Sequence, residues 1–190
     1  MYKAIIFDFF DVIHRDPFRH WLKQSGLERN GDLHETSRLL DIGAISDEEF
    51  YKRLSESSGQ PSQTVKVIYE DTTFIDYEMI ELIKRLKHTY KTGLLSNSSI
   101  EYLRQIIRQH ELEALFDVIT VSAEVRLIKP DPKIFAHILD KLGVPATEAI
   151  FIDDNPKNVE AAAKLGIESI IYKEGIEPLK KKLGDLGVSV

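Results

Sequence analysis

The chain has 190 residues, of which 31 are acidic and 25 are basic, so its formal net charge is −6. Hydrophobic residues make up 43% of it and charged residues 29%, which is typical of a globular protein and argues against a disordered or fibrous chain. The acidic balance argues against a nucleic-acid partner, because phosphate backbones are bound by clustered lysines and arginines. It still allows a small anionic substrate in a locally positive pocket.

The chain contains no cysteine, which excludes disulfides, thiolate zinc sites and a cysteine nucleophile. No stretch approaches the ~18 apolar residues of a membrane-spanning helix. Residues 1–7 are mostly apolar but have neither a basic leader nor a small-residue cleavage site. We therefore expect a cytoplasmic protein without a membrane partner.

The first predicted element is a strand at residues 4–7, a continuous apolar run that ends at Asp8. Such a run is typical of a strand buried on both faces of a sheet.

Residues 16–76 contain no convincing strand but carry several helix signals. Asp16 followed by Pro17 is typical of a helix start, and Ser46 with Glu49 matches a capping box. We interpret this stretch as a helical insertion after the first strand.

The remaining chain alternates short apolar runs with amphipathic segments. Four more strands are predicted, at residues 92–95, 118–121, 149–152 and 168–171. Between them apolar residues recur at helical spacing, and Gly166 supplies the left-handed position that ends a helix beginning near Pro156. Strands separated by helices of this length predict βαβ units, and so an α/β fold with a parallel sheet.

Polar side chains follow four of the predicted strands, at the carboxyl ends where open α/β sheets place their sites. In chain order these residues are Asp8, Ser96, Asn97, Lys129, Asp153 and Asp154. Each alone is compatible with loop or turn chemistry, and the acidic pair is compatible with a helix N-cap. Adjacent carboxylates beside an apolar strand repel each other, however, unless a cation offsets their charge.

In this order the motifs resemble those of the haloacid dehalogenase-like hydrolase superfamily, over essentially the whole chain. The matching stretches are IIFD at residues 5–8, LLSN at 94–97, KPDP at 129–132 and FIDDN at 151–155. Two-component receiver domains use similar groups, but their acidic pair comes early in the chain and no helical insertion follows it. The order of the motifs therefore argues against a receiver domain.

The resemblance implies a three-layer α/β core with a Rossmann-like parallel sheet of strand order 5-4-1-2-3. Residues 1–15 and 77–190 would form this core, and residues 16–76 a small helical cap over the strand ends. The resemblance also implies an enzyme, a hydrolase of small phosphomonoesters such as sugar phosphates, with Mg²⁺ as its cofactor. Its expected partner is a small phosphorylated metabolite, and its expected state is a monomer or a weak homodimer.

By resemblance, Asp8 is the nucleophile and forms an aspartyl-phosphate intermediate. Asp8, Asp154 and the main-chain carbonyl of Phe10 are expected to hold Mg²⁺, a hard cation that prefers oxygen ligands. Asp153 is expected to be a direct or water-mediated neighbour of that ion.

The resemblance assigns binding of the phosphoryl group to three residues. Ser96 and the main chain of Asn97 are expected to bind a transferring oxygen of the substrate. Lys129 is expected to neutralise charge on that oxygen and on Asp8.

Many phosphatases of the superfamily carry a second aspartate two residues after the nucleophile, which protonates the leaving group. That position is Phe10 here, and the next acid is Asp11. A general acid contributes ~10²–10⁴-fold, so three alternatives stay open. The substrate has a good leaving group; or Asp11, His14 or a water replaces the acid; or the protein is catalytically weak. Asp11 therefore joins the candidate catalytic residues.

Phe10 also keeps a different reaction open. The 2-haloacid dehalogenases of the superfamily lack an acid at this position, because a halide leaves without a proton. They generally lack the paired carboxylates, so Asp153 and Asp154 favour phosphate over halide. A catalytically weak phosphate-binding or interaction protein of the same fold is the third alternative.

Overall fold

The computed structural model describes residues 1–71 and 74–190. Residues 72 and 73, which belong to the predicted cap, lie outside the described residues. One sheet contains five strands: β1 (Ala4–Phe7), β2 (Lys91–Ser96), β3 (Val118–Val121), β4 (Ala149–Asp153) and β5 (Glu168–Ile171). All neighbouring strands are parallel and their order is β3-β2-β1-β4-β5. The predicted α/β fold and strand order are confirmed.

The chain that follows β1 is helical, as predicted. It forms α1 (Pro17–Ser25), α2 (Gly31–Asp41), α3 (Asp47–Ser58) and α4 (Ser62–Tyr69), which we call the helical insertion. Both predicted N-caps are present, since Asp16 accepts hydrogen bonds from two amides of α1 and Ser46 from one amide of α3. Only half of the predicted capping box forms, because the carboxylate of Glu49 accepts from Arg53 over 2.8 Å instead of from the Ser46 amide. Residues 44–71, all of which are described, contribute no strand to the sheet. That residues 16–76 form a separate domain stays a prediction.

Helices cover both faces of the sheet. The remaining ones are α5 (Tyr77–Lys87), α6 (Ile100–Gln109), α7 (Ser122–Val125), α8 (Pro132–Leu142), α9 (Pro156–Lys164) and α10 (Ile176–Asp185). Ile5 and Phe7 of β1 belong to one hydrophobic core with α5, α6 and α10, whereas Ala4 and Ile6 belong to a second core with α8 and α9. This three-layer packing explains the continuous apolar runs in the strands.

No helix in the described part of the chain is long and apolar enough to span a membrane.

Candidate active site

Three neighbouring parallel strands bring the predicted site residues to one edge of the sheet. Asp8 follows β1, Ser96 ends β2 and Asp153 ends β4. The contact between β1 and β4 continues beyond β1, because the amide of Asp8 donates to the carbonyl of Ile152 over 2.8 Å. The carboxyl ends of these strands therefore lie side by side, as expected for a site in an open α/β sheet.

Lys129 is the centre of a buried ionic network. Its Nζ lies 2.6 Å from Oδ1 of Asp8 and 2.8 Å from Oδ2 of Asp153. Burial alone lowers the pKa of Lys129, but the charges of Asp153 and Asp8 raise it by more, so the net pKa is above its ordinary value. The ammonium group is therefore charged, and it neutralises part of the acidic edge.

The side chain of Asn97 holds the backbone of Lys129 from both sides. Its Oδ1 accepts from the Lys129 amide over 2.9 Å, and its Nδ2 donates to the Lys129 carbonyl over 3.0 Å. Sequence reasoning considered only the main chain of Asn97, as a substrate ligand. The structure adds a positioning role for its amide group, which links the end of β2 to the lysine.

Asp153 is fully buried and its carboxylate is saturated with donors. Oδ1 accepts from the Asn155 amide over 2.7 Å and from Asn158 Nδ2 over 3.1 Å. Oδ2 accepts from Lys129 Nζ and from Asn158 Nδ2, the latter over 3.0 Å. Sequence reasoning missed Asn158, although a polar residue in the first turns of the helix after the acidic pair is a usable signal. The contacts indicate that Asp153 orients Lys129 and the start of α9.

The three carboxylates carry more negative charge than the site neutralises. Ligand-type oxygens of Asp8, Asp153 and Asp154 all lie within 4.8 Å of one another. Burial, and then the charge of Asp153, raises the pKa of both Asp8 and Asp154, whereas Lys129 lowers that of Asp8 and Arg19 that of Asp154. A hard cation would offset the remaining charge, and carboxylate oxygens are the donors that Mg²⁺ prefers. The residues present could therefore hold Mg²⁺.

Arg19 of α1 reaches from the helical insertion to the acidic edge. Its Nη2 lies 3.2 Å from Oδ2 of Asp154, and its Nη1 lies 2.5 Å from Oδ2 of Asp11. The other oxygen of Asp11 accepts from the Asp16 amide over 2.9 Å, so both oxygens of this predicted catalytic residue accept from donors. Sequence reasoning missed Arg19.

A cavity of about 130 Å³ lies between the sheet edge and the helical insertion. The core contributes Asp8, Asn97, Lys129 and Asp154, and the insertion contributes Arg29 and Asp41 among others. Ser96 is fully buried and does not line this cavity, and its Oγ has no hydrogen-bond partner among the residues that the structure describes. The structure thus brings the predicted nucleophile, lysine and acidic pair into one site. Ser96 directly precedes the cavity-lining Asn97 in the chain.

Comparison with known proteins shows the family of the chain. The family model for haloacid dehalogenase-like hydrolases matches residues 5–172. The chain belongs to the haloacid dehalogenase-like hydrolase family. It is 29% identical over 174 residues to a sesquiterpene phosphatase of Aspergillus oryzae, covering 87% of each protein. It is 27% identical over 188 residues to a phosphorylated carbohydrates phosphatase of Thermotoga maritima, covering 88% of this chain and 83% of that protein.

A solved structure of a haloacid dehalogenase family enzyme shares the fold. That enzyme, from Bacteroides thetaiotaomicron, was crystallised in complex with magnesium and inorganic phosphate. It is 22% identical to this chain, with a TM-score of 0.73 over 93% of this chain and 97% of that one. The predicted family, its Rossmann-like fold and the prediction of a haloacid dehalogenase-like hydrolase are therefore confirmed.

In this member of the haloacid dehalogenase-like family, an aromatic ring occupies the position at which the resemblance implies a general acid. Phe10 is half-buried, and its ring stacks on Tyr102 with the centroids 6.1 Å apart. His14 is buried as well, and its Nδ1 lies 2.6 Å from the carbonyl of Arg15. Burial is also the main cause of the lowered pKa of His14. His14 does not line the cavity, so the protein places it apart from the reacting groups.

Proposed function

We propose that this hydrolase is a Mg²⁺-dependent phosphatase of small phosphomonoesters, sugar phosphates among them, and that it acts through an aspartyl-phosphate on Asp8. The observation that carries the proposal is the buried Asp8–Lys129–Asp153 network with Asp154 beside it. A nucleophile beside a fixed cation and a cluster of oxygen donors is what phosphoryl transfer requires, because the transferring oxygens carry the negative charge. The phosphatase relatives support this assignment.

The contacts of Asp8 hold one of its oxygens and leave the other available. Oδ1 accepts from Lys129 Nζ over 2.6 Å and from the Phe9 amide over 2.7 Å. Oδ2 has no donor within residues 1–71 and 74–190. The carboxylate is therefore fixed in orientation before the substrate arrives, which lowers the entropic cost of an in-line attack.

The chemistry proceeds in two displacements. First, a carboxylate oxygen of Asp8 bonds to phosphorus while the ester P–O bond breaks, and the leaving oxygen takes a proton from a general acid. A water then attacks the phosphorus and gives a proton back to the conjugate base of that acid, the bond to Asp8 breaks, and inorganic phosphate leaves. In both steps Lys129 neutralises charge that develops on the phosphoryl oxygens, and we assign the Oγ of Ser96 and the main chain of Asn97 to bind one of them.

We propose that Asp8, Asp154 and the main-chain carbonyl of Phe10 hold Mg²⁺, with Asp153 as a direct or water-mediated neighbour. When bound, Mg²⁺ supplies positive charge next to the phosphoryl group. The magnesium and phosphate in the Bacteroides enzyme, which has the same fold, support this assignment.

The substrate class follows from the size and charge of the cavity. Pockets for drug-sized ligands measure ~300–1,000 Å³, whereas this cavity measures about 130 Å³. Lys129 and Arg29 line it, and the Mg²⁺ proposed at the acidic edge would add the positive charge that a phosphoryl group needs. Both features favour a small phosphorylated metabolite.

A phosphatase screen tests the proposal. Sugar phosphates, nucleotides and acyl phosphates are incubated with the protein, with and without Mg²⁺, and inorganic phosphate is measured. We expect release from at least one sugar phosphate that requires Mg²⁺ and is absent with Asp8→Asn. Release that persists in Asp8→Asn would contradict the proposal, because the activity would then come from another site or a contaminant.

Mg²⁺ binding itself should respond in opposite directions to two substitutions at one contact. Isothermal titration with Mg²⁺ alone should lose its signal in Asp154→Ala, which removes an oxygen ligand. Arg19→Gln should tighten binding by on the order of 5-fold, because it removes a competing cation that lies 3.2 Å from Oδ2 of Asp154. Unchanged binding in Asp154→Ala would place the ion elsewhere.

A 2-haloacid dehalogenase is the second candidate function, and Phe10 is the observation that favours it, since a halide needs no acid. The clustered oxygens of Asp8, Asp153 and Asp154 count against it, because a haloacid brings no phosphate for a cation to bind. Chloride release from 2-chloropropionate without any phosphatase activity would decide for the dehalogenase. Phosphate binding without release of any product would instead indicate the catalytically weak protein.

A further inference from the structure

The leaving oxygen of an alkyl phosphate needs a proton, and Phe10 cannot supply one. The carboxyl groups that line the cavity are those of Asp8, Asp11, Asp16, Asp41 and Asp154. Asp8 is the proposed nucleophile, and Asp154 is paired with Arg19. Asp11 accepts from the Asp16 amide and pairs with Arg19, as described above.

Both carboxylate oxygens of Asp16, like those of Asp11, already contact donors. Its Oδ1 accepts from the amides of Phe18 and Arg19 over 2.8 and 3.1 Å, and its Oδ2 lies 3.4 Å from Nε of Arg19. Asp41 differs, because its side chain has neither a hydrogen bond nor an ion pair within the described ranges 1–71 and 74–190. It is therefore the cavity-lining carboxyl that is free to donate to a ligand.

The backbone of Asp41 is fixed relative to the phosphate-binding residues. Asp41 ends α2, and its main-chain carbonyl accepts from the Oγ of the fully buried Ser122. The same Oγ accepts from the amide of Ser98 over 3.0 Å, two residues after Ser96. One serine thus links the end of α2 to the loop that follows β2.

The turn after Asp41 packs tightly against the core. Gly43 has φ +68°, and a Cβ at this position would lie 3.0 Å from the carbonyl oxygen of Ala123 in α7. Only glycine allows both this conformation and this approach. Asp41 is therefore held at the cavity by the core as well as by its own helix.

The surroundings keep the carboxyl of Asp41 partly protonated near neutral pH. Burial raises the pKa of its carboxyl to about 7, and the charge of Asp16 adds to the rise, whereas Arg29 and Lys129 oppose it. Tyr69 of α4 also lines the cavity, and burial raises the pKa of its hydroxyl so that it stays neutral. A general acid works best when its pKa lies near the working pH.

We propose that Asp41 is the general acid of this enzyme and protonates the leaving oxygen of the substrate. The inference rests on the proposed phosphatase function. As Asp8 bonds to phosphorus, the ester P–O bond breaks and its electron pair takes the carboxyl proton of Asp41. In the second displacement the Asp41 carboxylate takes a proton from the attacking water, the bond from phosphorus to Asp8 breaks, and both side chains return to their initial states. A carboxyl on the helical insertion thus replaces the one absent at Phe10.

The test compares Asp41→Asn with Asp32→Asn, the same chemical change at an exposed position of the same helix. Rates are measured on glycerol 3-phosphate, whose alkoxide needs a proton, and on p-nitrophenyl phosphate, whose leaving group does not. We expect Asp41→Asn to lower kcat/KM by ~10²–10³-fold for the first substrate and by less than ~10-fold for the second. Asp32→Asn should match the parent, and Asp41→Glu should recover part of the loss.

The pH profile gives a second readout. Because the acid must be protonated, the parent's kcat on glycerol 3-phosphate should fall as the pH rises through about 7. This fall should disappear in Asp41→Asn. If Asp41→Asn lost activity equally on both substrates, or lost none, the inference would be overturned but the proposed phosphatase function would not. Selective loss in Asp11→Asn instead would assign the acid to Asp11. A parent inactive on both esters, and equally inactive as Asp8→Asn, would overturn the proposed function and this inference with it.

Discussion

Replacing Asp8 with asparagine is expected to lower kcat by ~10⁴–10⁶-fold on every phosphate ester that the parent hydrolyses, the range seen when other covalent nucleophiles are removed. The amide cannot form the acyl phosphate, so neither displacement can occur. The loss should be independent of the leaving group, in contrast to the selective loss expected for Asp41→Asn. Steady-state phosphate release measures it, with Asp140→Asn as the matched control because Asp140 is exposed on α8.

The asparagine variant should remain folded. The contact between Lys129 and Asp153, 2.8 Å in the parent, does not involve Asp8, and the amide has the shape of the carboxylate that it replaces. The pKa of Asp8 is raised in the folded protein by burial and by Asp153, so its carboxylate destabilises the fold as the pH rises through that pKa. We therefore expect the unfolding midpoint of Asp8→Asn at pH 8 to be equal to or above that of the parent.

Rapid quenching of the parent reaction should also yield a phosphorylated peptide that contains Asp8, and the variant should yield none. A variant that retains more than a hundredth of the parent kcat, or a parent peptide phosphorylated at another residue, would contradict the aspartyl-phosphate mechanism.

Replacing Lys129 with methionine is expected to lower the free energy of unfolding by about 3–5 kcal/mol at pH 7.5, and to abolish hydrolysis. The substitution leaves the buried carboxylates of Asp8 and Asp153 without the ammonium that lies 2.6 and 2.8 Å from them. Urea unfolding measures the stability loss, and Lys133→Met, at an exposed position of α8, is the matched control.

The pH dependence of the stability loss distinguishes a missing ion-pair partner from a simple packing defect. Burial already raises the pKa of Asp8, and the variant lacks the ammonium that opposes this rise. The folded variant therefore binds more protons than the unfolded chain, and the loss shrinks as the pH falls towards 5. The double variant Lys129→Met/Asp153→Asn should recover part of the stability at pH 7.5. A loss below about 1 kcal/mol, or one that does not change with pH, would show that the lysine is not an ion-pair partner of buried carboxylates.

Local sequence patterns are sufficient to predict the sheet and the order of the polar residues at its edge. A parallel strand such as β1 is buried on both faces, so its apolar run is continuous and readable without any partner. Asp8 and the Asp153–Asp154 pair directly follow such strands, and neighbouring parallel strands end at one edge, so their proximity could be predicted from local signals alone. The helix starts at Asp16 and Ser46 were predictable for the same reason, since a cap is formed within four residues of chain.

The side chains that complete the site depend on how distant segments of the chain pack together. The sequence pattern predicts Arg19 to be an exposed residue of an amphipathic helix. Its partner Asp154 lies 135 positions away in the chain. Asn158 acquires its role only because α9 packs beside the buried end of β4 and directs an amide at Asp153.

Asp41 shows the same limit most clearly. In the sequence it is an ordinary acidic residue near a helix end, and nothing local distinguishes it from Asp32, nine residues earlier. Ser122 and Gly43 hold the end of α2 against the core, beside the cavity. Burial there and the charge of Asp16 raise the pKa of Asp41 to about 7, against the opposing charges of Arg29 and Lys129. Hydrophobic periodicity and caps are properties of neighbouring residues, whereas burial and electrostatic environment are properties of packing, and the packing of the insertion on the sheet edge is where this site acquires its chemistry.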